Sequence, residues 1–183
     1  MGAISVKNFD VSFIFRTKEI IEKYDNYSGE LEFTLLINSL VGLLILPKEF
    51  SKQKKRKFNY EFLQQRLNKF TLLNSIFTKD VVKIYLESGE AYNQKKFSFK
   101  SGINQTEILP PNITVGELLG RIRNGIAHMH ITPTQFDGKW DGVIIKNYKW
   151  NSTWCNFETY MTYEELRNFA LFIAGKYKTS IKL

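Results

Sequence analysis

Arg121-Ile122-Arg123-Asn124-Gly125-Ile126-Ala127-His128-Met129-His130 holds both histidines of the chain and two arginines within about three helical turns. Just upstream, Thr114 precedes Glu117 by three residues, the spacing at which each side chain satisfies a free backbone donor of a first helical turn. That signature predicts a helix from about Val115 to about Met129. At about 100° per residue, Leu118, Leu119, Ile122, Ile126 and Met129 gather on one side. Glu117, Arg121, Asn124 and His128 form a stripe on the other. One face packs, and the other carries chemistry.

Arg123 falls between the two stripes. Helical geometry sets it roughly 140° from His128 and only about 20° from the direction of His130. A guanidinium and an imidazole acting on one phosphate would then need fraying at the helix end, or the same helix from a second chain alongside. Gly125 is a further pointer. Inside a helix it costs roughly 1 kcal/mol relative to Ala, which predicts that a backbone or a ligand comes close at that point.

The chain has 183 residues and a net charge of +8, which fits one domain with a real core and an anionic partner such as nucleic acid or a membrane surface. Cys155 is the only cysteine, so no internal disulfide can form, and two histidines offer no zinc-finger spacing. Met1 to Asp10 lacks the apolar core of a signal peptide. A reducing cytoplasm is therefore the expected setting, and the glycosylation triplets at Asn104, Asn112 and Asn151 are expected to have no consequence.

Upstream of the central helix, Phe9 to Asp25 reads as an amphipathic helix with Phe13, Ile20, Ile21 and Tyr24 on one side. Leu31 to Leu46 is much more apolar, but Glu32, Thr34, Asn38 and Ser39 interrupt it and Pro47 ends it. It falls short of the roughly 18 apolar residues of a spanning helix, so a buried central helix is expected and no membrane insertion. Asn38 and Ser39 would then need hydrogen-bond partners. The run from Lys48 to Lys57, with Lys54, Lys55, Arg56 and Lys57 at its dense end, suits a phosphate-binding patch or a solvated loop. From Phe58 to Leu86 apolar residues recur at helical spacing, predicting two helices that meet near Thr78 to Asp80, with Phe62, Phe70 and Phe77 as core. Ser88 to Asn112, with its glycines and Pro110-Pro111, has no sustained period and reads as a long surface connection.

After the central helix the texture changes. Asp137-Gly138 and Asp141-Gly142 signal turns, and Val143-Ile144-Ile145 followed by Thr153 to Tyr160 has strand-like content, predicting a small antiparallel hairpin. Trp140, Trp150 and Trp154 are expected to be buried against the helices, given the apolar area each brings. Thr162 and Glu165 form a second capping box, opening a last helix to about Gly175. Cys155 has no catalytic base beside it in sequence.

Arg123-Asn124-Gly125-Ile126-Ala127-His128, late in the chain's best-marked helix, resembles the R-N-x-x-x-H signature of the HEPN superfamily. The very apolar helix ending in Leu46-Pro47-Lys48-Glu49 extends the likeness to one family of stand-alone HEPN nucleases of bacteria and mobile elements. The resemblance implies a mainly α, HEPN-like helical bundle, here with a small C-terminal β hairpin, spanning residues 1–183 as one domain. It also implies an endoribonuclease that needs no metal or cofactor and whose site forms at a homodimer interface, with Arg123, Asn124 and His128 catalytic. His130 also fits the looser spacing of the family and lies on Arg123's side of the helix, but the asparagine beside Arg123 matches the tighter form of the signature and so favours His128. RNA would be the substrate, bound also by Arg121 and by Lys54, Lys55, Arg56 and Lys57. Toxin or phage-defence work would follow, with an antitoxin protein among the partners it allows.

The residues alone leave other readings open. Arg121 stands four residues after Glu117, the spacing of an ion pair, and basic groups near a helix end serve the negative end of its dipole. A HEPN-like module that binds RNA, nucleotide or a partner without cutting would carry the same motif. So would an unrelated helical interaction domain with a basic surface.

Overall fold

The computed structural model describes residues 9–23, 31–46, 49, 60–77, 84–86, 114–148, 150–151, 153 and 155–180. Lys54 to Lys57, Phe58, the connection 88–112 and Trp154 lie outside them. The described residues are mainly helical with an antiparallel sheet. By internal packing the chain divides into two units, residues 1–59 with 170–183 and residues 60–169.

In the first unit, α1 (Phe9–Lys23) carries the ion pairs Lys18–Glu22 and Glu19–Lys23 one turn apart on its surface. Its inner side buries Ile14 and Ile21. Next comes α2 (Leu31–Leu40), which continues into a wider π turn at Val41–Ile45, closed by the Leu46 N–H donating to the Val41 carbonyl. Leu36, Leu40, Leu43 and Leu44 are fully buried, as expected of a central helix. Gly42 lies where α1 crosses, since a Cβ there would stand 2.7 Å from Thr17 Oγ1. Ser39 is buried, whereas Asn38 is exposed to solvent and has no burial to compensate, contrary to expectation. Ile173, Ala174 and Tyr177, from the end of the last helix, complete this unit's core.

The second unit opens with α3 (Tyr60–Gln64), a 3-10 turn at Leu67–Lys69 and α4 (Thr71–Phe77). Phe62, Leu67, Leu73 and Ile76 are buried core, and the half-buried Phe70 meets Phe62 edge to face at 5.2 Å, while the side chain of Phe77 lies outside what is described. The helical period from Phe58 to Leu86 has a break that was not expected, at Gln65 and Arg66, and Ile84–Leu86 is a strand, β1; residues 78–80, the expected junction of two helices, lie outside the described residues.

α5 (Val115–Ala127) is the predicted central helix. Its capping box forms as expected: Glu117 N–H donates to Thr114 Oγ1 at 3.2 Å, and Thr114 N–H to Glu117 Oε2 at 2.9 Å. Val115, Leu118, Leu119, Ile122 and Ile126 are buried, each such side chain contributing about 1.5–3 kcal/mol. The first turn is also tied to the segment after α3, where Val115 N–H donates to the Gln65 carbonyl at 2.9 Å and Arg66 bridges Thr114.

β2 (Ile131–Phe136), β3 (Lys139–Tyr148) and β4 (Cys155–Thr162) follow, then α6 (Tyr163–Ser180). The sheet order is β1-β4-β3-β2, all neighbours antiparallel. The predicted hairpin exists as the β3–β4 pair, with Val143 opposite Met161 and Ile145 opposite Thr159. It is part of a larger sheet, because β2 and β1 add to its two edges. Asp137-Gly138 makes the predicted turn, both residues at positive φ. Asp141-Gly142 makes none. It lies inside β3 beside a register shift, and Gly142 is required because a Cβ there would come within 2.6 Å of the Met161 carbonyl oxygen.

Val143, Ile145 and Asn147 are buried while Ile144, Lys146 and Tyr148 are half-buried, the alternation of a strand with one face packed. Trp140 (48% exposed) and Trp150 (86% exposed) overturn the expectation of burial. They stand on either side of the stretch in which Val143, Ile145 and Asn147 are buried. The Thr162–Glu165 box caps α6, with Thr162 N–H donating to Glu165 Oε2 at 2.9 Å, and the helix runs past the expected Gly175 to Ser180. Among the described residues no helix is long and apolar enough to cross a membrane.

Candidate active site

Gly125 fixes where α5 meets the sheet. A Cβ at this position would stand 2.5 Å from Ile145 Cγ2 and 2.6 Å from the Lys146 carbonyl oxygen, so only glycine lets the helix cross β3 this closely. The close approach expected from its helix cost is to a backbone, that of β3.

Two residues later the helix stops. His128 takes the C-cap position at φ −99° and ψ 11°, and Met129 turns left-handed at φ 57°. His130 N–H donates to the Gly125 carbonyl at 2.8 Å and Met129 N–H to the Ile126 carbonyl at 3.1 Å. This pair of bonds is the Schellman motif, which satisfies carbonyls the helix end would otherwise leave open. The helix therefore ends earlier than the predicted Met129, and the chain reverses directly into β2. Lys146 N–H then donates to the His130 carbonyl at 2.9 Å, locking the reversal to β3.

The candidate residues fall into two joined pairs. Arg123 Nη1 donates to Asn124 Oδ1 at 2.6 Å, holding the guanidinium along the flank of α5. His128 and His130, both exposed, bring their rings to 5.9 Å between centroids, 32° between planes. Tyr148 packs edge-on against His130 at 4.7 Å and 76°. Arg121 is half-buried on the same helix, and the Glu117 carboxylate opposite it along the turn is engaged by Thr114. Lys54, Lys55, Arg56 and Lys57 lie outside the described residues.

Tyr148 and Lys146 are the neighbours that sequence reasoning missed. The strand period was the signal available for them, since Ile144, Lys146 and Tyr148 alternate along β3; what set them beside His130 was the ladder register, which has no local signature. Lys146 reaches Glu158 Oε2 on β4 at 3.3 Å. Burial acts most strongly on both groups. It lifts the Glu158 carboxyl above its ordinary range despite the ammonium beside it. For Lys146 it works in the opposite sense to Glu158's charge and hydrogen bond, which together prevail and raise the ammonium. Cys155 Sγ donates to the Phe157 carbonyl at 3.1 Å, and burial pushes its thiol up, away from the thiolate a nucleophile needs.

Compared with known families, residues 1–182 match the model described as HEPN pEK499 p136, and the chain belongs to that family of the HEPN superfamily. Membership points to a nuclease or other RNA-related role. No curated protein and no solved structure gave a significant match.

Proposed function

We propose that this chain is a metal-independent endoribonuclease of HEPN type, cutting RNA by transesterification with Arg123, Asn124 and His128 as its catalytic set. RNA carries its own nucleophile. Removal of a proton from the 2′-hydroxyl lets O2′ bond to phosphorus as the bond to the 5′-oxygen breaks, and that oxygen takes up a proton. The products are a 2′,3′-cyclic phosphate and a 5′-hydroxyl. Histidine side chains exchange protons near neutrality, which suits His128 to this work. The guanidinium of Arg123 is permanently charged and matches phosphate oxygens, so it would stabilise the added negative charge of the transition state. Asn124 would hold that guanidinium in position.

The observation that carries the reading is the exposed His128 capping the end of α5, five residues beyond an arginine that Asn124 already holds. The helical angle between Arg123 and His128 favours a homodimer in which α5 of each copy contributes to a shared site. Arg121 and the basic run Lys54, Lys55, Arg56 and Lys57 would add salt-dependent affinity for the RNA backbone. A cytoplasmic toxin or phage-defence effector, held in check by an antitoxin, is the biological role this chemistry would serve.

The test is incubation of the protein with labelled structured RNA in excess EDTA, beside Arg123→Ala and His128→Ala. Cleavage leaving cyclic phosphate ends, lost in both variants, is the expected result. RNA binding without cutting would instead establish a non-catalytic RNA-binding module, and cutting that survives both substitutions would refute the assigned residues.

A further inference from the structure

We infer that His130 is a second proton carrier of the site, paired with His128 in the same chain and oriented by Tyr148; this rests on the ribonuclease reading above. Transesterification moves two protons at two different oxygens. One leaves the 2′-hydroxyl as the bond from O2′ to phosphorus forms. The other arrives at the 5′-oxygen as its bond to phosphorus breaks. Attacking and leaving oxygens stand roughly in line through phosphorus, so a single imidazole cannot face both at once. Two imidazoles 5.9 Å apart, each with a reach of about 3 Å, can address two oxygens of one phosphate.

The backbone holds this pair. His128 is the C-cap and His130 the second residue beyond it, and the left-handed Met129 between them sets both rings on the exposed side of the reversal. His130 is held at three points: its N–H by Gly125, its carbonyl by Lys146, and its ring by the edge-on ring of Tyr148. Met129, by contrast, is 77% exposed, with its backbone N–H bonded to the Ile126 carbonyl. On the elements around the pair the charged and titratable groups are Glu117, Arg121 and Arg123 on α5, Lys139, Asp141, Lys146 and Tyr148 on β3, and Cys155, Glu158 and Tyr160 on β4; Glu117 is engaged by Thr114 and Glu158 by Lys146. Tyr148 touches His130 and acts through it, as a positioning residue.

The experiment compares wild type, His128→Ala, His130→Ala and His130→Asn on an ordinary RNA and on one whose 5′-bridging oxygen at the cleavage site is sulfur. Thermal melting checks the fold of each, and His130→Asn keeps a polar side chain should the alanine variant fail to fold. A thiolate leaves without a proton, so the sulfur substrate makes the proton donor dispensable. Wild type should show a bell-shaped dependence of rate on pH. Loss of either histidine should lower cleavage of ordinary RNA by about a hundredfold or more and remove one limb of the bell. The sulfur substrate should restore one of the two variants and not the other. Tyr148→Phe should keep the wild-type pH profile, whereas Tyr148→Leu should displace the limb that belongs to His130. If His128→Ala is inactive while the His130 variants keep the full rate and bell, the ribonuclease stands and this pairing falls. Rescue of both histidine variants, or of neither, likewise overturns the division of labour. A wild type that cuts no RNA overturns the ribonuclease reading and the pairing with it.

Discussion

Arg123 and Asn124 are adjacent in sequence and joined through their side chains, the guanidinium donating to the amide oxygen at 2.6 Å. Neighbours on a helix point about 100° apart, so the bond ties the flank of α5 that carries Arg123 to the stripe that carries Asn124. Asn124→Ala should leave the fold unchanged and slow RNA cleavage by about tenfold, roughly one hydrogen bond to a charged group. Arg123→Lys should cost more, about a hundredfold, because an ammonium cannot reproduce the planar fork. Single-turnover rates on a defined RNA measure both.

Gly125→Ala sets helix propensity against packing. Propensity alone would stabilise α5 by roughly 1 kcal/mol. The new methyl group would stand 2.6 Å from the Lys146 carbonyl oxygen, and backbone cannot step aside as the end of a side chain can. Net destabilisation of about 1–3 kcal/mol is expected, read by urea denaturation. A variant as stable as wild type would mean that the helix and β3 are not in this contact.

Met129 pays a conformational cost at φ 57° that glycine would not. Met129→Gly should therefore stabilise the protein by about 0.5–1 kcal/mol, while the β-branched Met129→Ile should destabilise it by at least about 1 kcal/mol. The opposite order in thermal melting would contradict the Schellman geometry.

Lys146→Met removes the cation beside Glu158. Burial already raises the Glu158 carboxyl above its ordinary value of 4.5, so the folded state holds this proton more tightly than the unfolded chain. The stability from that difference is present below the unfolded value and is lost as pH rises through the folded one. Without Lys146 the folded value climbs further and the loss grows. Stability should fall by about 1 kcal/mol at neutral pH, a figure discounted for the pair's partial exposure, and by less near pH 4. Denaturation curves at the two pH values decide it.

Much of the central helix could be read without coordinates, because a capping box is chemistry between residues three apart. Thr114 with Glu117 and Thr162 with Glu165 both formed as the sequence implied. The cost of Gly125 likewise announced a close approach, though not to what. Features fixed by distant partners stayed hidden. β1 is three residues long and exists through its pairing with β4, Ile84 opposite Thr159, so no local period marks it. Asp141-Gly142 carries turn residues, yet the glycine answers a crowded neighbouring strand. Trp140 and Trp150 are apolar enough for a core, but one lies near the start of β3 and the other beyond its end, and both are exposed. The pairing of His130 with Tyr148 follows from ladder register, which a one-residue slip would erase.

The hydrogen bond from Lys146 N–H to the His130 carbonyl makes the end of α5 depend on the sheet. A nascent chain that has completed α5 but not yet β3 possesses every residue of the motif and lacks the clamp that sets the second imidazole. During synthesis the hairpin must follow the helix out of the ribosome before the histidines are held together, so the geometry matures late. Local opening of β2 from β3 would undo it again while leaving the helix intact. On the ribonuclease reading, docking of the edge strand β2 is therefore a condition for the two histidines to work as a pair.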